Sequence, residues 1–292
     1  MRILKNVVLV TLTIALISVG VYFYSNLTDG FSSRKLLSKL PYNPCFEVEA
    51  LNPVEKARLS NILDQPFYYI GKGCQFYVFG SKDDKYVIKF LKQKHLRLHT
   101  ELNNVPMPKF LRTKANAKIA RRIKRVNNLF LSCKLAYEEL AEESGLEFIH
   151  LNHTPVFNKR VILFDKRGAK NAINIDNYEF IIQKKALVAK KVFAQLTNDE
   201  LEDHVNQLID LVNKRCIKGI GDRDRAFLQN VAFSQDGLHA MFTDIGQFYK
   251  DRSVSLEEQK QEDIQKRLGN LRDWVANNNP DLLDHLDAIL NQ

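Results

Sequence analysis

The stretch from Cys216 to Phe248, "CIKGIGDRDRAFLQNVAFSQDGLHAMFTDIGQF", constrains the fold more than any other part of the chain. At its centre two short apolar runs flank Gln235-Asp236-Gly237, and an Asp-Gly pair in that setting is a strong hairpin signal. A hairpin there holds Asn230, at its entrance, beside Asp244, at its exit. An amide oxygen next to a carboxylate is a pair of hard donors of the kind magnesium prefers. Asp222 and Asp224 lie just ahead, in what reads as a loop.

Upstream, "YIGKGCQFYVFGSKDDKYVIKF" (69–90) has Gly71 and Gly73 in a G-x-G spacing, then alternating Phe76, Val78, Tyr86 and Ile88 around a polar tip at 81–85. This alternation predicts a half-buried antiparallel pair. Taken alone, the segment also fits an ordinary hairpin with Lys89 on its outer face. A short helix is expected near Val54 to Leu63, and a longer one through "NNLFLSCKLAYEELAEESG", with Leu131, Leu135 and Leu140 and a stop at Ser144-Gly145. Glu138 falls on or beside that apolar stripe, whereas its acidic neighbours Glu139, Glu142 and Glu143 read as a solvated edge. "RVILF" (160–164) and "YEFIIQ" (178–183) read as strands, joined by a polar stretch containing Gly168 and Asn177. Thr197 and Glu200 then form a capping box ahead of a helix with Leu201, Val205, Leu208, Ile209 and Val212 at helical spacing.

In this order the elements resemble the protein-kinase-like fold over residues 66–248. The fold class implied is α+β and two-lobed, with a small antiparallel β-sheet lobe carrying a C-type helix and a truncated, mainly helical large lobe. Under the resemblance, Gly71 and Gly73 belong to the loop over the nucleotide phosphates, and Lys89 in "YVIKF" is the third-strand lysine. Glu138 is then the first choice for the glutamate that orients Lys89, with Glu139 and Glu142 left open. "GDRDRAFLQN" resembles the catalytic loop, with Asp224 as base and Asn230 as metal ligand, and Asp244 in "DIG" resembles the metal-binding aspartate. The cofactors implied are ATP and Mg2+.

The match departs from the family pattern at several points. Phe76 stands where a third loop glycine is usual, and five residues rather than four separate Asp224 from Asn230. Gly221-Asp222 replaces the usual histidine, so Asp222 is a second candidate for the role of Asp224. Residues 247–292 hold no A-P-E-like segment, which predicts a large lobe lacking the usual activation segment and peptide-docking part. The tail "LEEQKQEDIQKRLGNLRDWVANN" is expected to pack as core around Leu268, Leu271 and Trp274.

The other strong feature is "VVLVTLTIALISVGVYFY" (7–24), uncharged and long enough to cross a bilayer. No A-x-A-like site follows it, which favours a retained single-pass anchor over a signal segment cleaved to give an exported form. Arg2 and Lys5 on one side face Arg34, Lys35 and Lys39 on the other, so charge does not fix the orientation. The expected organisation is an anchor at 1–24, a linker at 25–60, a small lobe at 61–185 with a basic helical insertion at 92–126, and a large lobe at 186–292. The net charge of +9 favours acidic partners such as nucleotides or phospholipid headgroups. The insertion reads as a solvated basic face or a membrane-surface element. Nucleic acid is not indicated, because no aromatic residues interleave regularly with the charges. Four scattered cysteines, Cys45, Cys74, Cys133 and Cys216, read as reduced and mostly buried, with Cys74 the exception on the glycine loop.

Two functions follow from the resemblance. One is a membrane-anchored, Mg-dependent kinase moving the ATP γ-phosphoryl group to an unidentified hydroxyl acceptor. The other is a pseudokinase-type binding or scaffold module without phosphotransfer. The retained lysine, aspartates and asparagine favour the enzyme, and the departures favour the binding module.

Overall fold

The computed structural model describes residues 2–37, 40–93 and 108–290, without the side chains of residues 2–4 and 7. The chain mixes helices and strands. In order, its principal elements are α1 Arg2–Thr28, α2 Pro53–Leu63, β1 Phe67–Lys72, β2 Phe76–Ser81, β3 Tyr86–Leu91, α3 Lys109–Glu139, β4 Leu146–His150, β5 Arg160–Phe164, β6 Lys170–Asn174 and β7 Phe180–Lys184. There follow β8 Ala186–Val188, α4 Asn198–Ile217, β9 Ile220–Asp222, β10 Val231–Ser234, β11 Ala240–Phe242, β12 Phe248–Lys250, α5 Glu257–Asn278 and α6 Leu283–Leu290. The described residues form two compact units: one drawn from 1–41, 51–98 and 153–180, the other from 42–50, 99–152 and 181–292.

In the first unit, β1, β2 and β3 form an antiparallel meander, and β1 pairs in parallel with β5, whose other edge takes β6. The aromatic and branched residues that signalled strands supply the core: Phe67, Phe79, Phe90, Val161 and Leu163 are almost wholly enclosed. Burying each such side chain stabilises the fold by roughly 1.5–3 kcal/mol. Helix α2 begins at a reciprocal cap. The Asn52 side chain accepts the Glu55 N–H at 2.9 Å, the Glu55 carboxylate accepts the Asn52 N–H at 3.4 Å, and Pro53 occupies the first helical turn. Within the expected linker, Phe31 and Leu36 are buried, and the Phe31 ring lies 5.1 Å from that of Phe79. Among the described residues one helical stretch, Val8–Thr28, is long and apolar enough to cross a membrane.

Beside this core, the buried Glu179 carboxylate accepts from Gln93 Nε2 at 2.8 Å and meets His153 Nε2 at 3.1 Å. The hydrogen bond to Glu179 holds the His153 imidazolium and raises its pKa. A cation favoured in the native state adds stability that is complete below the unfolded imidazole value and is lost as pH rises through the higher folded value. The melting temperature is therefore expected to fall with rising pH across that window. His153→Gln should flatten the slope; an unchanged slope would refute the assignment.

In the second unit, β4 lies beside β7, and β10 sits between β8 and β11. Helix α4 buries Leu201, Val205, Leu208 and Val212 on one stripe, and the Glu200 carboxylate accepts the Thr197 N–H at 3.4 Å. Helix α5 buries Ile264, Leu268, Leu271 and Val275, in keeping with the core role expected of Leu268 and Leu271, whereas Trp274 is only half-buried. The insertion's helix starts at Lys109, while its residues 94–107 lie outside the described residues. Cys133 and Cys216 are buried, but Cys45 is exposed along with Cys74, which corrects the expectation that Cys45 is a core thiol.

Candidate functional site

The hairpin forms as expected, with Val231 opposite Phe242 and Phe233 opposite Ala240, and Gly237 takes the left-handed φ of 73° that its turn requires. Its open end joins two of the proposed ligands. The Asn230 carbonyl accepts the Thr243 N–H at 2.7 Å and the Asp244 N–H at 3.4 Å. Asn230 is half-buried at the end of a single helical turn, and Asp244 is exposed, with Oδ1 accepting the Gly246 N–H at 3.0 Å. From helix α3, buried Ser132 fixes the following segment: its hydroxyl donates to the Ile245 carbonyl at 2.5 Å and accepts the Phe248 N–H at 2.7 Å. Among the described residues no group of three or more His, Cys, Asp or Glu gathers as a metal site. The oxygen-only donors of Asn230 and Asp244 still fit magnesium, which takes one or two protein ligands and fills the rest of its shell with water and phosphate oxygens.

The two aspartates of the loop face different surroundings. Strand β9 pairs with β12, setting Asp222 opposite Phe248. The Asp222 side chain, 8% exposed, meets Arg267 Nη1 at 3.3 Å, and Oδ1 accepts the Asp224 N–H at 2.9 Å. Burial pushes the Asp222 carboxyl above the usual range, against the opposing pull of Arg267. Arg267 itself bridges to Asp263 at 3.1 Å and lies over the Phe227 ring, and Asp263 also pairs with the fully buried Arg215. Asp224 is half-exposed, and its Oδ1 accepts the Ala226 N–H at 2.8 Å. Gly221 is required by packing, since a Cβ there would come within 2.4 Å of the Tyr249 ring, which is itself covered by Arg223.

In the first unit, β1 carries a bulge between Tyr69 and Gly71, and the Gly73 N–H donates to the Phe76 carbonyl at 3.0 Å to close the loop tip. A Cβ at Gly71 or Gly73 would meet nothing within 4 Å, so the protein's own packing does not demand glycine at either position. Lys92 donates to the Gly73 carbonyl, and Lys72 donates to the Asp29 carbonyl at 3.1 Å. Asp29 also takes the Tyr69 hydroxyl at 2.9 Å, which ties the turn after α1 to β1. Lys89 is half-buried on β3, with Val78 as its partner across β2.

Glu138 lies on the exposed side of α3, 3.7 Å from Lys134. Its neighbours are not all a solvated edge: Glu139 pairs with Lys250, and Glu143, 7% exposed at its side chain, pairs with Lys218. Sequence reading missed Ser132, Arg215, Asp263 and Arg267. The available signal was an arginine inside each of two apolar helical stripes.

No family model and no curated protein sequence matches this chain. Among solved structures it is similar to the bifunctional kinase-methyltransferase WbdD, at 14% identity over 66% of this chain and 36% of that one, with a TM-score of 0.34. It is also similar to Rv3197 of Mycobacterium tuberculosis, solved in complex with erythromycin, at 13% identity over 85% of this chain and 68% of that one, with a TM-score of 0.29. The chain thus spans little more than a third of the length of WbdD, and likenesses this distant assign no function.

Proposed function

We propose that the protein is a membrane-anchored, two-lobed kinase-like phosphotransferase that uses ATP and magnesium. The observation that carries this reading is the hairpin mouth, where Asn230 and Asp244 sit on adjoining backbone and the neighbouring loop presents Asp224 while Asp222 is held inside by Arg267. In this reading Gly71 and Gly73 let the backbone approach the nucleotide phosphates, and Lys89 supplies positive charge to them. Asn230 and Asp244 would hold the magnesium, whose contribution in such sites is to neutralise charge on the transferring phosphates. Asp224 orients an acceptor hydroxyl and takes its proton as the new P–O bond forms and the bond to the β–γ bridging oxygen breaks, leaving ADP. Asp222 acts as a positioning residue through its bond to the Asp224 N–H. Helix α1 serves as the anchor.

A binding-only reading is favoured by the departures from the family pattern, among them Phe76 at the place of the third loop glycine, where it is paired with Leu91 in the β2–β3 ladder. Turnover separates the two readings, and nucleotide binding tests the site on which the enzyme depends. With full-length protein in detergent, ATP and magnesium at about 100 times the dissociation constant should stabilise the fold by roughly 2.7 kcal/mol. Lys89→Ala and Asp244→Ala should remove that gain. A folded wild type with no magnesium-dependent shift would defeat the nucleotide site altogether.

A further inference from the structure

We propose that the exposed stripe of Lys114, Lys118, Arg121 and Arg125 on α3, with Phe110 and Leu111 at its start, docks on the anionic headgroups of the bilayer that holds α1. The four cations recur at i, i+4, i+7 and i+11, which places them on one face of the helix. All four are exposed, and Phe110 and Leu111, one turn earlier, are 64% and 44% exposed. Ile119, away from the stripe, is buried, so this helix has a protein-facing side and an open basic side.

The sequence of α3 works against its own stability along this stripe. Like charges three and four residues apart repel, and no acidic residue occurs from Lys109 to Tyr137 to offset them. Cations in the first turn, beginning with Lys109, also oppose the helix dipole. An anionic surface relieves both penalties. Exposed aromatic and aliphatic residues at the end of a basic helix suit the boundary between headgroups and acyl chains, where apolar side chains insert and charged ones stay outside. The partner is already at hand if Val8–Thr28 spans a bilayer, because anchoring raises the effective headgroup concentration for the rest of the chain. The proposal therefore rests on the anchor reading and not on phosphotransfer.

The test uses the full chain reconstituted into vesicles of phosphatidylcholine alone, or with about one-third phosphatidylglycerol. Flotation and amide hydrogen exchange are both measured. Amides of the Lys109–Arg125 segment should exchange on the order of tenfold more slowly in the anionic vesicles. The difference should vanish at about 0.5 M salt and in the variant Lys114→Gln/Lys118→Gln/Arg121→Gln/Arg125→Gln. Flotation with both vesicles but equal exchange would overturn the docking surface while leaving the anchor intact. Slower exchange produced only by added RNA would overturn it in favour of a nucleic-acid surface. Failure to float with neutral vesicles would overturn the anchor and the docking surface together.

Discussion

Replacing Arg267 with methionine is expected to destabilise the protein by about 3–5 kcal/mol, the usual effect of removing one partner from a buried ion pair. Methionine keeps much of the apolar contact over the Phe227 ring but strands the Asp222 carboxylate, which is 8% exposed and has the Arg267 guanidinium 3.3 Å away. Asp263 retains Arg215, so the loss falls mainly on the loop that carries Asp222. The deficit should depend on pH, and its sign is fixed. Burial already raises the Asp222 carboxyl, with Arg267 opposing, so removing Arg267 raises it further. A raised carboxyl adds stability that is present at low pH and lost as pH rises through its folded value. The gap between wild type and variant should therefore widen from acid to neutral pH. Adding Asp222→Asn should recover part of the loss, because an amide can remain buried without a counter-charge. Denaturant titrations of the two single variants and the double variant measure this directly. Strictly additive losses would show that the two side chains are energetically independent.

This cluster also marks where the sequence stopped being readable. Elements whose signal is local were legible: "RVILF" is β5, the Thr197–Glu200 box starts α4, and the Asp-Gly turn closes the β10–β11 hairpin. Each depends on a period or a turn contained within a dozen residues. The pairing of Arg267 with Asp222 spans 45 positions, and that of Lys218 with Glu143 spans 75. The place of Arg267 within an apolar stripe marks it as enclosed, but no pattern along the chain names Asp222 as its partner or pairs Lys218 with Glu143. Strand β6, "KNAIN", shows no apolar alternation and forms as the partner of β5 across a turn in which Gly168 takes a φ of 79°. Strands β8, β9 and β12 have three residues each, too few to show a period. In the candidate site the identities of Asp222, Asp224, Asn230 and Asp244 were visible, but the contrast between an enclosed Asp222 and an open Asp224 was not. That contrast arises from a helix near the end of the described chain.

The same contrast sets the second large effect. If Asp224 takes the acceptor proton, Asp224→Asn should lower turnover by about 10²- to 10⁴-fold, the range spanned by loss of a general base. The isostere keeps an oxygen for the Ala226 N–H and changes no buried charge, so the melting temperature and the magnesium–ATP stabilisation should stay close to wild type. Asp222→Asn should behave in the opposite way. It removes one of the two carboxylates that face Arg267, leaving Asp263, and weakens the acceptor of the Asp224 N–H, so stability falls and any loss of turnover follows from a displaced loop. Intrinsic ATP hydrolysis serves as the activity readout while the acceptor is unidentified, with water taking the acceptor's place. Each variant is compared at a temperature where it remains folded. Loss of turnover in folded Asp222→Asn, with Asp224→Asn still active, would transfer the base to Asp222. A wild type that binds nucleotide but never hydrolyses it, alone or with candidate acceptors, would favour the binding module. The unusual Phe76 would then be the first position to change, since Phe76→Gly would restore the third loop glycine without touching Asp224.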